Sequence, residues 1–239
     1  MEPAHTTIKD TRSPSSVVQE ANAGTLLQAR NLGLQGEGRW VWRRLDLAIT
    51  PGERVGLTGP SGSGKTALMR ILAGLMPATE GDILLEQRAL PHWPMPEYRS
   101  RIGYLAQRPE LGDGATVEAV LNAPFTYRSR RHQAYPRQWI EQALETLGRD
   151  SSFLQRPVAS LSGGEQQIAA LLRLLALQPS IVLLDEPTAA LDTGSTRQLE
   201  SLLDAWQHAA PDRSWLWTSH DGAQLERMST RTLALPWNP

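Results

Sequence analysis

Apolar positions along this chain alternate between two spacings. Short unbroken runs recur at Val55, Gly56 and Leu57, at Ile181, Val182, Leu183 and Leu184, and at Trp215, Leu216 and Trp217. Such runs predict strands covered on both faces, as in a parallel sheet. Between them the spacing becomes i, i+3, i+4, i+7, at Leu68, Ile71, Leu72 and Leu75, at Ile140, Ala143, Leu144 and Leu147, and at Ile168, Leu171, Leu172 and Leu175. Each set lines one face of a helix, and Pro179 stops the third. Leu199, Leu202, Leu203 and Trp206 predict another helix, and residues 117–121 a shorter one. Strands alternating with helices predict an α/β fold on a mainly parallel sheet.

The ends of the chain read differently. Residues 26–29 and 45–49 predict two strands joined through a Gly-rich turn at 36–38, an N-terminal antiparallel β part. Residues 82–85 and 101–105 predict strands, the Pro-rich stretch 91–96 a loop, and a short helix and a strand at 232–235 close the pattern. From roughly 108 to 175 the texture is helical, a subdomain within one domain spanning 25–239. Residues 1–24 are rich in Thr, Ser, Pro, Glu and Gln and predict a disordered tail.

Composition narrows the function. A net charge of -1 with mixed signs gives no footprint for nucleic acid, so no nucleic-acid partner is expected. The absence of cysteine excludes disulfides and thiol chemistry. The histidines, at positions 5, 92, 132, 208 and 220, form no ligand cluster in sequence. The apolar runs are too short to span a bilayer and no charged-then-apolar leader is visible, so a cytoplasmic location is expected.

Three motifs carry chemistry. Gly59, Pro60, Ser61, Gly62, Ser63, Gly64, Lys65 and Thr66 fit G-x-x-x-x-G-K-[ST], a loop whose backbone N–H groups wrap a nucleotide's phosphates. A strand precedes it and a helix follows, so the helix N-terminus adds its own free N–H groups to the anion site. Asp185 and Glu186 end an apolar strand, at the sheet edge where α/β folds place ligands. Asp185 suits Mg²⁺ through water with Thr66 as the other protein oxygen, and Glu186 suits the base for an attacking water. Ser162-x-x-Glu165 is a capping box, which accounts for the serine and glutamate but not for Gly163 and Gly164 between them. Paired glycines at a helix start let an anion approach, a candidate second phosphate site.

With Leu161 to Glu165 in view, the chain resembles the ATP-binding cassette (ABC) ATPases, from about residue 25 to its end. In that resemblance Gln107 matches the glutamine lining the Mg²⁺ site and the membrane-subunit contact, Ala190-Leu191-Asp192 the loop crossing between subunits, and His220 the switch histidine. It implies a P-loop NTPase fold and ATP and Mg²⁺ as cofactors. It further implies a head-to-tail dimer in which Ser162, Gly163 and Gly164 of one copy complete the phosphate loop of the other. Catalysis is then expected from Glu186 as base, with Lys65 and His220 offsetting charge, and metal binding from Thr66, Gln107 and Asp185. One departure falls on Gly36, where the family has an aromatic that stacks on adenine; Trp40 and Trp42 are the nearby candidates to replace it. Another is Ile168, where many members have arginine.

The resemblance implies the motor subunit of a membrane transporter, peripheral on the inner face of the cell membrane. A separately encoded integral membrane permease would dock at Gln107 and residues 108–127. Residues 26–33, 59–66 and 104–109 are similar to the FetA-type ATPases, which implies iron export. The alternative is a soluble ABC ATPase of a non-transport process such as iron-sulfur cluster assembly.

Overall fold

A computed structural model of the 239-residue chain describes residues 24–112, 116–127, 130 and 132–235. The tail expected at 1–24 falls outside this set up to residue 23, as do positions 113–115 of the segment expected to meet a permease. The chain divides into two units: one of Met1–Tyr104, Ser180–Asp185 and Asp212–Pro239, the other of Leu105–Pro179 and Glu186–Pro211.

The first unit carries two sheets. Strands β1 (Leu27–Gly36) and β2 (Arg39–Ile49) form a hairpin, closed by Glu37 at φ 50° and Gly38 at φ 78°. Two successive positive φ angles match the right-handed twist of the flanking strands. With β4 (Glu80–Leu85) and β5 (Arg88–Ala89) they make an antiparallel sheet of order β2-β1-β4-β5. The second sheet has order β6-β7-β8-β3-β9, from β6 (Ile102–Leu105), β7 (Ile181–Asp185), β8 (Ser214–Thr218), β3 (Arg54–Thr58) and β9 (Arg231–Ala234). The β7–β8, β8–β3 and β3–β9 pairs are parallel. Every residue of β7 and β8 is buried, as their unbroken apolar runs predict. One core serves both sheets, joining Leu27, Leu45 and Ile49 to Leu57, Leu183 and Leu216.

Two expectations fail here. Helix α1 (Lys65–Leu72) ends before Leu75, because Gly74 turns left-handed at φ 66°, and Leu75 stays 46% exposed. The stretch 91–96 is not all loop: α2 (Met95–Arg101) starts within it. Its prolines sit at the cap and in the first turn, where a missing N–H costs nothing, and Tyr98 is buried beneath it.

The second unit is helical, with α3 (Val117–Asn122), α4 (Arg137–Thr146), α5 (Gly163–Ala176) and α6 (Thr193–His208). Its buried side chains include Ile140, Leu144, Ile168, Leu172, Leu199 and Trp206, drawn from the helical stripes of the sequence. The first unit closes with α7 (Gly222–Met228) before β9. Glu53 and Arg231 pair there with side chains each 8% exposed, tying the turn before β3 to β9.

Candidate functional site

The phosphate-loop motif leaves the carboxyl end of β3. Its glycines take the conformations it needs: Gly59 lies at φ 150°, Gly62 at φ 79° and Gly64, the N-cap of α1, at φ 85°. Lys65 and Thr66 open α1, whose first-turn N–H groups have no intrahelical partner. Lys65 Nζ donates to the loop's own carbonyls, Gly59 at 2.7 Å and Pro60 at 3.0 Å. Ser63 Oγ and Trp42 Nε1 are buried without a partner among the described residues. The loop therefore has donors in excess and a cation folded onto it, the charge pattern of an anion site.

Sheet register sets the distances to the other motifs. Thr218 on β8 lies level with Leu57 on β3 and with Asp185 on β7. Asp185 thus stands two strands from the base of the loop, about 10 Å away at the usual strand spacing. Thr218 donates to one carboxylate oxygen of Asp185 at 3.1 Å, and the Tyr104 hydroxyl to the other at 3.2 Å. Burial, and then the Asp185 charge, push the Tyr104 hydroxyl well above its ordinary value, so it remains a donor. His220 is exposed just beyond β8, on the same sheet edge, ahead of Asp221, which caps α7.

The donor chemistry fits Mg²⁺. Thr66 is exposed in the first turn of α1 and Asp185 offers a fixed carboxylate, both hard oxygen donors. No cluster of three or more His, Cys, Asp or Glu exists among the described residues. That suits an ion held by one or two protein oxygens plus phosphate rather than by an all-protein cage.

The second unit holds the remaining residues. Gln107 Nε2 donates to Glu186 Oε2 at 2.7 Å. Glu186 sits in the left-handed region at φ 47°, and its carbonyl accepts from Ala189 at 3.1 Å, so the chain turns sharply after β7. Asp192 accepts from the Ser195 N–H at 2.8 Å and caps α6.

At the start of α5 the capping box is complete: Glu165 N–H donates to Ser162 Oγ at 3.3 Å, and Ser162 N–H to the Glu165 carboxylate at 2.9 Å. Arg156 pairs with the same carboxylate. Its hydrogen bond, with those of Ser162, outweighs burial and holds Glu165 at about 2. The two glycines have different reasons. A Cβ on Gly164 would stand 2.7 Å from the Ala190 carbonyl oxygen, so packing demands glycine there. A Cβ on Gly163 would meet only Ala190 Cβ at 3.9 Å, and the residue is exposed. Nothing among the described residues requires Gly163 to be bare.

Of the two tryptophans proposed to replace the adenine-stacking aromatic, Trp42 is fully buried and does not offer a face to a base. Trp40 is partly buried, with the Arg43 guanidinium 4.5 Å from its ring centroid. Ile168 is core. Thr218 and Arg156 gave no motif signal, and Tyr104 and Trp42 none for the contacts seen here, because these roles arise from tertiary contacts.

A protein-family profile described as ABC transporter matches residues 42–189. The "Probable iron export ATP-binding protein FetA" of Escherichia coli K12 is 31% identical over 200 residues, covering 84% of this chain and 87% of that protein. The "Fe(3+) ions import ATP-binding protein FbpC 3" of Rhodococcus jostii RHA1 is 40% identical over 159 residues, 66% of this chain; the chain spans only 44% of its length. Among solved structures, the dimeric post-hydrolysis state of the ATP-binding cassette MJ0796 bound to ADP and Pi aligns with TM-score 0.74 and 27% identity, covering 87% of this chain and 94% of that one.

Proposed function

The chain belongs to the ABC transporter family, and we propose that it is a motor subunit that works as a head-to-tail pair beneath a separately encoded integral membrane permease. It is an ATP-binding, ATP-hydrolysing cassette. The pairing rests on Gly163, which is exposed and unhindered at the start of a capped helix while its neighbour Gly164 is bare for packing reasons. A bare, exposed helix start suits an anion brought from outside the chain, and in this reading the anion is the γ-phosphate on a second copy's loop. Ser162, Gly163 and Gly164 then complete a site that neither copy closes alone.

The chemistry follows from the residues. The backbone N–H groups of Ser61 to Thr66 cradle the phosphates, and Lys65 leaves the Gly59 and Pro60 carbonyls to meet them. When bound, Mg²⁺ supplies charge neutralisation on the phosphate oxygens, with Thr66, Asp185 and Gln107 as its protein contacts. Glu186 takes the proton of a water attacking in line, and its left-handed backbone and the Gln107 bond fix its direction. His220 offsets charge on the transferred phosphoryl group.

For cargo we propose iron export, on the match to the FetA protein over 84% of this chain and 87% of that one. No described helix is long and apolar enough to cross a membrane. In this reading the permease supplies the pathway and the choice of solute, with the cassette peripheral on its cytoplasmic side. The test of the motor is Glu186→Gln. This variant should bind ATP, lose turnover and elute as a dimer only when ATP is present; turnover at the wild-type rate would overturn the assignment. For cargo, vesicles carrying the reconstituted pair should move iron under ATP, and movement of a different solute alone would rule iron out.

A further inference from the structure

Resting on the nucleotide-site reading above, we propose that Trp42 belongs to the phosphate site: its indole N–H is a donor for the anion bound at the N-terminus of α1. Trp42 lies on β2 opposite Leu34, away from every sequence motif. Its ring is fully buried, and its Nε1–H has no partner among the described residues. That donor is placed against the loop. A Cβ built on Gly64, the N-cap of α1, would stand 2.6 Å from Trp42 Nε1 and 3.3 Å from Cδ1, so the polar atom of the ring is the one nearest that position. Buried indole N–H groups ordinarily find an acceptor. That of Trp217 in the core is bare too, but that of Trp42 alone of the two stands against the phosphate loop, where an anion can supply one.

Ser63 shows the same imbalance from inside the loop. It is 2% exposed, and its hydroxyl is also without a partner. Lys65 meanwhile donates to two loop carbonyls and uses up acceptors that Trp42 and Ser63 lack. An arriving phosphate draws Lys65 away and supplies anionic oxygens. The loop rearranges around them, Gly64 being free of a side chain that would block the indole. The ring holds the loop from the β2 side while its N–H turns from an unpaired donor into a charge-assisted one.

The experiment compares wild type with Trp42→Phe, which keeps an aromatic ring and removes the N–H. Binding of inorganic tripolyphosphate and of ADP is measured by calorimetry, and the indole ¹H–¹⁵N signals are recorded with and without tripolyphosphate. The expected result is an affinity loss of about tenfold for both ligands, the size of a hydrogen bond to a charged group. The Trp42 indole signal of the wild type should also move downfield on saturation. Unchanged affinity in Trp42→Phe, or an unmoved Trp42 signal in saturated wild type, overturns the proposal. Should the variant not fold, the signal is assigned in the wild type by its nuclear Overhauser effect to Gly64 Hα, and its shift decides alone. A wild type that binds neither ligand would instead sink the nucleotide site itself.

Discussion

Gln107 holds Glu186: its side-chain amide donates to the carboxylate across 2.7 Å, although the two residues lie 79 positions apart in the chain. The contact joins the residue expected to face a membrane partner to the residue proposed as the base. Movement at Gln107 would therefore change where the carboxylate points.

Gln107→Ala should lower kcat by about tenfold or more, because a base 1 Å out of place forfeits much of its orientation. The affinity for nucleotide measured without Mg²⁺ should change little, since the phosphates are held by the loop's own N–H groups and Lys65. Steady-state turnover with fluorescent-nucleotide binding separates the two. Equal losses in both would assign Gln107 to binding rather than to aiming the base.

Gly64→Ala should be damaging for two reasons that add. Its φ of 85° costs a side chain about 1–2 kcal/mol, and the new Cβ would collide with Trp42 Nε1 at 2.6 Å. Gly163→Ala meets no such obstacle, with its nearest neighbour at 3.9 Å. It should fold as well as wild type yet lose ATP-dependent dimerisation. Thermal melts should therefore separate the two, low for Gly64→Ala and unchanged for Gly163→Ala, while size-exclusion with ATP should show Gly163→Ala monomeric despite its wild-type melt.

The buried pair of Glu53 and Arg231 gives a pH signature. Burial pushes the Glu53 carboxyl up, but hydrogen bonds from Arg231 and Thr50 outweigh it and hold it below its ordinary 4.5. A carboxyl depressed on folding adds stability that is complete above its unfolded value and is lost as pH falls through the folded one. The wild type should therefore weaken below about pH 4.5 more steeply than Glu53→Gln, which keeps only the contributions of the other depressed carboxyls such as Glu165. At neutral pH that variant should be about 3–5 kcal/mol less stable, because it leaves Arg231 charged and buried. Urea melts across pH measure both.

How much of this was legible beforehand follows from the range of each interaction. The unbroken apolar run from Ile181 to Leu184 and the stripe from Ile168 to Leu175 needed only local pattern, and both stand as strand and helix. Helix α2 was hidden because three prolines in six residues signal loop, whereas Pro94 and Pro96 occupy its cap and first turn and Pro91 lies in the 3-10 turn before it. Leu75 fitted its stripe but lies past a left-handed glycine that periodicity ignores. The loop, the carboxylates and the capped glycines were visible as motifs. The groups that aim them were not: Tyr104 and Thr218 on Asp185, Arg156 on Glu165 and Trp42 against Gly64 depend on strand register and helix packing.

Gly36 offers a prediction in the opposite direction, a gain. Val41 links the two places that matter: its Cγ2 is 3.7 Å from a Cβ built on Gly36, and its Cγ1 is 3.0 Å from one built on Gly64. The hairpin end thus lies beside the phosphate loop, where a nucleotide's base would fall. Its aromatics are poorly placed to stack on a base, with Trp42 buried and one face of Trp40 taken by Arg43. Without stacking, the base adds little to affinity, and GTP should compete with ATP on nearly equal terms. Gly36 is exposed, its φ lies outside the left-handed region, and no other heavy atom lies within 4 Å of the new Cβ, so Gly36→Tyr should be accommodated. A ring there should tighten ATP binding about tenfold, within the range of a base stacked on an aromatic side chain. Tripolyphosphate, which has no base, should bind both proteins alike. If the tyrosine variant gains nothing for ATP, the base does not lie over the hairpin.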